Sequence, residues 1–471
     1  MKNIPQLHQT VFSTISDAAD SLGVPAYVVG GYVRDYYLGR LQEGEMDIDF
    51  VTVGSGIDLA KEVAKRMKGS SLAVYRQFGT AQVKAKGLEL EFVGARKESY
   101  RKNSRKPIVE DGTLEDDQLR RDLTINALSW SLNKDDFGTL IDPFNGMEDL
   151  KNENIKTPID PHQTFSDDPL RMMRAIRFAS QLNFRIEEHT FGAISEMAER
   201  INIISKERII DELNKIILSD HPTLGFTMLF KTGLLKEFFP EMHDLHGVKE
   251  KKGVRHKDNF WHTLKVLDNV IELDADLWLR WSAIMHDIAK PATQRFYDGI
   301  GWTFHGHDAL GAKWTKRIFR RLGLPLDERM RYVQKLVRLH LRPIALVSDE
   351  VSDSAIRRLI FEAGDDIDDL MKLCRADITT KNEYKQERYQ KNFDYVERRI
   401  KEVEEKDRIR NWKNPLSGEE IMKALNIEPS RTVGDVKDAV KEAILNGDIP
   451  NDHDAAFNFM MEHKDDFLNN D

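Results

Sequence analysis

The chain has 471 residues, 40% of them hydrophobic and 32% charged, with a formal net charge of −9 and a single cysteine, Cys374. That length exceeds what one hydrophobic core serves and implies two to four domains. The composition excludes an intramolecular disulfide, a membrane span of roughly 18 apolar residues, and a general nucleic-acid binder, while leaving room for a local basic groove in a protein of the reducing cytoplasm.

In chain order, the opening MKNIPQLHQTVFSTISDAAD has no apolar signal core and reads as an amphipathic helix. Up to about residue 145 short strands alternate with helices, the strands being PAYVVGG, MDIDFVTV, AQVKA and LELEFVG. The first strand ends in Gly30 and Gly31, followed by YVRDYYLG as a helix. Glycines at a strand-to-helix turn let backbone N–H groups approach a phosphate. Ordinary turns carry such pairs too, so the next strand matters. In MDIDF, Asp47 and Asp49 are one residue apart, on the same face of a strand, with Ile48 and Phe50 on the other. Asp is disfavoured in strands and like charges repel, so a solvated edge or a bound cation must explain the pair. A glycine turn sixteen residues upstream favours a nucleoside triphosphate, its phosphates on the turn and its Mg²⁺ on the carboxylates.

Residues 96–106, RKESYRKNSRK, form a basic stretch, six of eleven residues being Lys or Arg, and read as a loop. After the turn-rich DPFNG (142–146) the pattern becomes helical and stays so. In FSDDPLRMMRAIRF, Asp168 and Arg171 lie three apart on a predicted helix and share a face, which in isolation is a surface ion pair. Histidines then cluster: His262, the adjacent His286 and Asp287, His305 and His307, and His340, with Asp377 beyond. Imidazole and carboxylate groups on separate helices can converge on Mn²⁺, Fe²⁺, Ni²⁺ or Mg²⁺. The better ligand of the HGH pair is His307, which precedes a helix. The tail from 381 is charged and helical to about residue 410, then punctuated by Pro and Gly.

GGYVRDYYLGR, MDIDF, LRRDLTINAL (119–128), IDPFNG (141–146) and DDPLRMMRAIRF (167–178) resemble, in order and spacing, the motifs of class II template-independent nucleotidyltransferases. These are the tRNA CCA-adding enzymes and bacterial poly(A) polymerases; the likeness is close over roughly residues 20 to 240. It implies an α/β head, a small mixed or antiparallel sheet with helices, then an all-α neck, body, HD domain and tail. The expected divisions are 1–146 for the head, 147–250 for the neck and body, 251–385 for the HD domain and 386–471 for a tRNA-binding tail. The resemblance further implies a two-metal centre on Asp47 and Asp49, with Glu91 a candidate third carboxylate or else a solvated strand residue. Gly30, Gly31 and Arg34 would face the nucleotide's phosphates, with Asp35 beside Arg34. Arg120 and Arg121 would face triphosphate or sugar, with Asp122 orienting one of them, unless they form a plain ion pair at a helix start. Asn126 would touch the ribose.

In that family the residues matching Asp168 and Arg171 read the incoming base. Cytosine and adenine both offer an amino donor beside a ring-nitrogen acceptor, which a carboxylate and a guanidinium complement. Uracil and guanine present the reverse and would leave both groups facing the wrong partner. Asp167 departs from the family's usual Glu. Arg174 and Arg177 continue the basic stripe and would steady Asp168 or contact phosphate, packing being the alternative. The histidine set resembles the HD phosphohydrolase superfamily, implying His262, His286, Asp287, His307, His340 and Asp377 as metal ligands and Lys290 as a phosphate contact. The alternative is a helical domain that keeps the ligands without turnover. Residues 416–452 resemble the tRNA-contacting C-terminal segment of bacterial CCA-adding enzymes. YRQFGTAQV departs from the GRRF-type strand motif of poly(A) polymerases. The basic stretch 96–106 resembles the head loop that assists the switch from C to A addition. The implied activity is template-independent addition or repair of tRNA 3′-CCA from CTP and ATP. The alternatives are a poly(A), CC-only or A-only enzyme, or an RNA-binding HD phosphohydrolase.

Overall fold

The computed structural model describes residues 6–41, 46–99, 108–346, 352–380, 382–407, 409–410 and 412–468. Two compact units divide between Phe238 and Phe239. The expected head and the expected neck and body up to 238 belong to one unit, while 239–250, the expected HD domain and the tail belong to the other.

The first unit is built on a seven-stranded sheet. Its strands are β1 (Ala26–Val29), β2 (Met46–Thr52), β3 (Ser71–Tyr75), β4 (Thr80–Ala85), β5 (Leu88–Gly94), β8 (Ser129–Ser131) and β9 (Leu140–Ile141), in the order β3-β4-β5-β2-β1-β8-β9. Within this sheet, among the described residues, only β2 and β5 pair in parallel. The alternation in β2 decides which face is which: Ile48 and Phe50 are buried, while Asp47 and Asp49 emerge on the opposite face. On the buried face Phe50 stacks on Phe92 of β5 at 5.1 Å between ring centroids, and Phe12 meets Phe50 edge-on at 5.9 Å. Phe12 lies on α1 (Gln6–Leu22), whose Val11, Phe12, Ile15, Ala18 and Ala19 are buried at helical spacing. Phe12 also meets Tyr32 of α2 (Gly31–Tyr37) at 5.4 Å. The helix α3 (Gly56–Arg66) packs against β4 and β5.

Two expectations for this unit need correction. Part of the basic stretch 96–106 is strand: β6 (Arg96–Ser99) pairs antiparallel with β7 (Ile108–Asp111), and 100–107 lie outside the described residues. Asp168 and Arg171 do not share a helix. After α4 (Leu114–Leu119) and α5 (Gly146–Lys151), the chain forms α6 (Pro161–Asp167) and then α7 (Leu170–Leu182), with Asp168 extended between them at φ −140° and ψ 102°. Pro169 explains the break, because its ring pushes the preceding residue out of the helical region. The helices α8 (Glu188–Met197) and α9 (Lys206–Ile217) follow, α9 packing along α7.

The second unit is mostly helical, but the expectation of helix alone after 146 misses short pairings, the first of them in the first unit and the other two in the second. Asn154–Ile155 pairs with Arg185–Ile186, Glu250–Lys251 with Val254–Arg255, and Arg295–Tyr297 with Gly301–Thr303. Buried aromatics Phe239, Trp281 and Phe319 form part of its core, Trp281 lying 6.0 Å from Phe319. The tail holds a 25-residue helix, Glu383–Asp407, followed by the helices Gly418–Leu425, Arg431–Asn446 and His453–Glu462. No helix among the described residues is long and apolar enough to cross a membrane.

Phe50→Ala leaves a cavity under the two aspartates, and large-to-small changes of this kind cost about 3–5 kcal/mol. An unfolding free energy from urea titration that falls by less than a quarter of that amount would show that the stacked pair does not anchor β2.

Candidate active site and metal centre

The register of the sheet assembles the head site. Across the parallel pairing, Asp47 stands opposite Glu89 and Asp49 opposite Glu91. Glu89 is already occupied, accepting from Gln82 at 2.9 Å and pairing with Lys84. Glu91 is the carboxylate left beside Asp49. Loss of hydration raises the Asp49 carboxyl although its side chain opens to solvent; Arg121 opposes the rise, and Asp47 and Asp117 add to it. Glu91 is raised for the same reasons, burial first and then Asp49 and Asp47. Asp47, Asp49 and Glu91 form an all-oxygen donor set suited to a hard divalent cation. They do not close into the tight three-ligand cluster that the histidines make, which suits a cation completed by substrate phosphate oxygens.

On the other side of β2, Val29 pairs with Asp49, so the chain leaves β1 at Gly30 directly beside the carboxylates. Gly30 has φ +75°, and a Cβ there would meet the Arg121 Nη1 at 3.0 Å and Asp49 Oδ2 at 4.0 Å. Glycine is required by both conformation and space. At Gly31 a Cβ would find its nearest neighbour, an Arg34 nitrogen, at 3.7 Å, an ordinary contact. With only seven residues, α2 contributes little dipole. Positive charge at the turn comes instead from Arg121.

Arg121 is held by Asp117, a residue the sequence reading missed. Fully buried Asp117 accepts from Arg121 Nε at 3.1 Å and Nη2 at 2.9 Å through Oδ2, and pairs with Arg120 through Oδ1. Asp122 was expected to orient one of these arginines and does not. Its Oδ2 accepts from Arg174 Nε at 2.6 Å, and its Oδ1 accepts from Asn126 Nδ2 at 3.0 Å and from the Leu123 N–H at 2.9 Å. Burial alone would raise the Asp122 carboxyl, but Arg174 and Asn126 hold it down to about 2. Asn126 spends its other polar atom on Arg34, accepting from Nη1 at 2.7 Å, and Arg34 grips Asp35 at 2.8 and 2.9 Å. Both Asn126 and Arg34 are thus committed to neighbouring side chains.

A cavity of about 300 Å³ lies at this corner, lined by Arg120, Arg121, Asp122, Asp168, Leu170, Arg171, Arg174 and Arg208. Arg171 donates from Nη2 to the Arg120 carbonyl at 2.5 Å, tying α7 to the head. Asp168 accepts from the Leu170 N–H at 3.1 Å through Oδ1 and from Arg208 Nη2 at 2.9 Å through Oδ2. Arg208 and its neighbour one turn on, Glu212, both on α9, have no local signal near residue 168. Glu212 takes Arg177 at 3.0 Å and Arg174 at 3.9 Å. Arg177 is buried, stacks over Phe178 at 4.2 Å and does not line the cavity, so its expected nucleotide contact is corrected to packing. Asp167 ends α6 and does not line the cavity either.

In the second unit the helices Asn259–Ile271, Leu277–Met285, His307–Leu322, Glu328–Leu339 and Ile367–Ala376 bring six residues together. His262 Nε2 lies 2.9 Å from Asp377 and 3.4 Å from Asp287; His286 Nε2 lies 3.2 Å from Asp287; His307 Nε2 lies 3.2 Å from both Asp287 and His340 Nε2. His286, His307 and His340 each place Nδ1 at 2.7 Å from a backbone carbonyl, of Ala283, Phe304 and Val337. A carbonyl only accepts, so Nδ1 carries the proton and Nε2 turns its lone pair inward. His262 is steadied by Thr379 at 2.9 Å. His286 Nε2 and Asp287 Oδ1 are buried without a hydrogen bond, the state expected of atoms meant for a metal, while Asp287 Oδ2 has the Lys290 ammonium beside it. The residues fit a divalent ion. Burial holds His340 down to about 4, so it stays neutral as a ligand must. Lys290 pairs with Asp287 at 2.5 Å, one turn from the ligands. The cluster takes His307; His305 is exposed.

A carboxylate-bearing sheet with a glycine turn and an arginine-lined cavity, followed by a helical histidine–aspartate cluster, defines a template-independent nucleotidyltransferase head joined to an HD domain. Family descriptions agree: residues 26–156 match the poly A polymerase head domain, 183–245 a probable RNA and SrmB binding site of polymerase A, and 259–382 the HD domain. The A-adding tRNA nucleotidyltransferase of Deinococcus radiodurans is 30% identical over 90% of this chain and 92% of its own length. The CC-adding tRNA nucleotidyltransferase of Thermus thermophilus is 30% identical over 90% of each. The A-adding enzyme of Aquifex aeolicus is 37% identical, but this chain spans only 30% of its length. A solved CCA-adding enzyme in its apo form has the same fold, with TM-score 0.66, 22% identity, and coverage of 98% of this chain and 95% of that one. The chain belongs to the tRNA nucleotidyltransferase family.

The Asp122 carboxyl is depressed in the folded protein. Its stabilisation is full above the ordinary 3.8 and is lost as pH falls towards about 2, a difference worth about 2 kcal/mol. In Asp122→Asn the stability curve between pH 4 and pH 2 should flatten by that amount; an acid limb that keeps its wild-type slope would contradict the assignment.

Proposed function

We propose that the protein adds the 3′-terminal CCA of tRNA, or repairs it, using CTP and ATP and releasing pyrophosphate without a nucleic-acid template. The observation that carries this reading is Arg121. It borders both the Gly30 turn beside Asp49 and the cavity that holds Asp168 and Arg171, so one nucleotide can have its triphosphate at the carboxylates and its base in the cavity. Bound at Asp47 and Asp49, with Glu91 alongside, Mg²⁺ would supply activation of the RNA 3′-hydroxyl and neutralisation of the leaving pyrophosphate. The protein's own part is positioning. Gly30 and Gly31 leave the turn open to phosphate, and Arg121, fixed by Asp117, faces negative charge. Arg174, fixed by Asp122, is pre-set for the nucleotide or for Asp168. Asp168 accepts from the base amino group and Arg171 donates to the ring nitrogen, which selects C and A over U and G. Arg34 and Asn126 act through their neighbours, as positioning residues rather than phosphate or ribose contacts.

We assign the tail, 386–471, to tRNA binding, and the location to the cytoplasm, where a tRNA-modifying enzyme meets its substrates. The HD residues His262, His286, Asp287, His307, His340 and Asp377 would hold a divalent metal for phosphate-ester hydrolysis, with Lys290 on the substrate phosphate. A second reading, addition of CC alone or A alone, is favoured by relatives with those names that match 90% of this chain. An RNA-binding phosphohydrolase is disfavoured, since it gives no physical reason to keep Asp47, Asp49, Asp168 and Arg171 together.

The deciding assay offers tRNA transcripts ending before C, after C and after CC, with one nucleotide at a time. CCA addition predicts CTP use on the first two and ATP use on the third. ATP alone or CTP alone marks the single-nucleotide enzymes, and long A tails on any RNA mark a poly(A) polymerase. Asp47→Ala should lower extension with every nucleotide by roughly a thousandfold or more, the several kcal/mol a metal ligand supplies. Asp168→Ala should instead admit UTP and GTP; equal loss with all four and no change of choice would remove the base-reading role. Hydrolysis of a 2′,3′-cyclic nucleotide should require added divalent metal and vanish in Asp287→Ala, whereas activity indifferent to that change would refute the HD assignment.

A further inference from the structure

We propose that a second transition-metal site, separate from the HD cluster and from the head carboxylates, lies on Asp160, His162 and His189, with Zn²⁺ as the fitting ion. His162 is in the first turn of α6 and His189 at the start of α8, and Asp160 is the residue that caps α6, its Oδ1 accepting from the Gln163 N–H at 3.1 Å. One ligand atom from each of the three lies within 4.8 Å of the others.

The hydrogen bonding decides which atoms face inward. His162 Nε2 lies 2.8 Å from a Glu196 carboxylate oxygen on α8. An ionised carboxylate only accepts, so Nε2 carries a proton, and in the neutral ring that a metal ligand requires Nδ1 keeps its lone pair. That lone pair is on the atom 3.7 Å from Asp160 Oδ1, while His189 Nε2 lies 4.0 Å from Asp160 Oδ2. Both separations are too long for hydrogen bonds. They are close to the edge of a zinc tetrahedron, about 3.3 Å for bonds of about 2.0–2.1 Å, and small side-chain rotations close the difference. Glu196 then occupies the position of the carboxylate that orients a metal-bound imidazole from behind. Two imidazoles and one carboxylate suit Zn²⁺ better than Mg²⁺. The side chains of Asp160, His162 and His189 are 53%, 42% and 60% exposed, so water completes the coordination.

None of these residues lines the nucleotide cavity. Their effect on it is mechanical: α6 runs from this cluster to Asp168, and an ion there ties the first turn of α6 to α8. Occupancy stiffens the segment that carries Asp168 without touching the nucleotide.

The test is titration of the full-length, metal-stripped protein with Zn²⁺ by calorimetry, beside His162→Ala and His189→Ala. Each variant should lose one equivalent relative to wild type while keeping the HD equivalent, and Glu196→Gln should weaken the same equivalent by about 10–100-fold. Zn²⁺ should also protect His162 and His189 of the unmutated protein from carbethoxylation by diethyl pyrocarbonate, read by peptide mass. Nucleotide addition with Mg²⁺ should persist in His189→Ala, which separates this site from the head chemistry. Equal stoichiometry in wild type and both histidine variants, or carbethoxylation of His162 and His189 unchanged by Zn²⁺, would overturn the site.

Discussion

Like charge is crowded onto one face of a sheet, and the head is organised around that crowding. Asp49 has Asp47 two residues away on its own strand and Glu91 opposite it on the next, and both its carboxyl and that of Glu91 are pushed upward. Such a face is costly unless positive charge sits against it. The fixed part of that charge is Arg121, and Arg121 is fixed because Asp117, at zero exposure, spends one whole oxygen on it. In the function we propose, the remaining charge arrives with the substrate as a metal–triphosphate.

Ion pairs, three of them with a buried carboxylate, extend the same logic to the arginine-lined cavity and its surroundings. Asp117 holds Arg121, Asp122 holds Arg174, Glu212 holds Arg177, and Arg208 holds Asp168. Each carboxylate removes one side chain's freedom before the nucleotide comes, and rigid donors discriminate better than mobile ones. Asp168, to which we assign the reading of the amino group, is placed by covalent geometry as well: Pro169 forces it out of the helix and lets it face the cavity at the start of α7. The HD cluster follows a parallel rule, with backbone carbonyls instead of carboxylates setting the tautomer of three imidazoles.

Local pattern carried much of this. The alternation of MDIDF fixed the faces of β2, and the strands around Val28, Val83 and Leu90 stand where alternation puts them. His307 rather than His305 was legible from its place before a helix. What local pattern missed is long-range or conformational. Asp117 is only four residues before Arg121, across the end of α4, but the adjacent Asp122 draws attention first, and its partner Arg174 lies 52 residues on. Arg208 and Glu212 carry no mark at residue 168, because only the packing of α9 on α7 brings them there. Arg177 shared the helical stripe with Arg171 and Arg174, yet helical rotation turns it into the core.

The most direct measurement is a crystal structure of the protein soaked with CTP and Mg²⁺. The account predicts density for the ion between Asp47, Asp49 and the phosphates, with the cytosine against Asp168 and Arg171. A triphosphate bound away from the Gly30 turn, or a base turned out of the arginine-lined cavity, would contradict it.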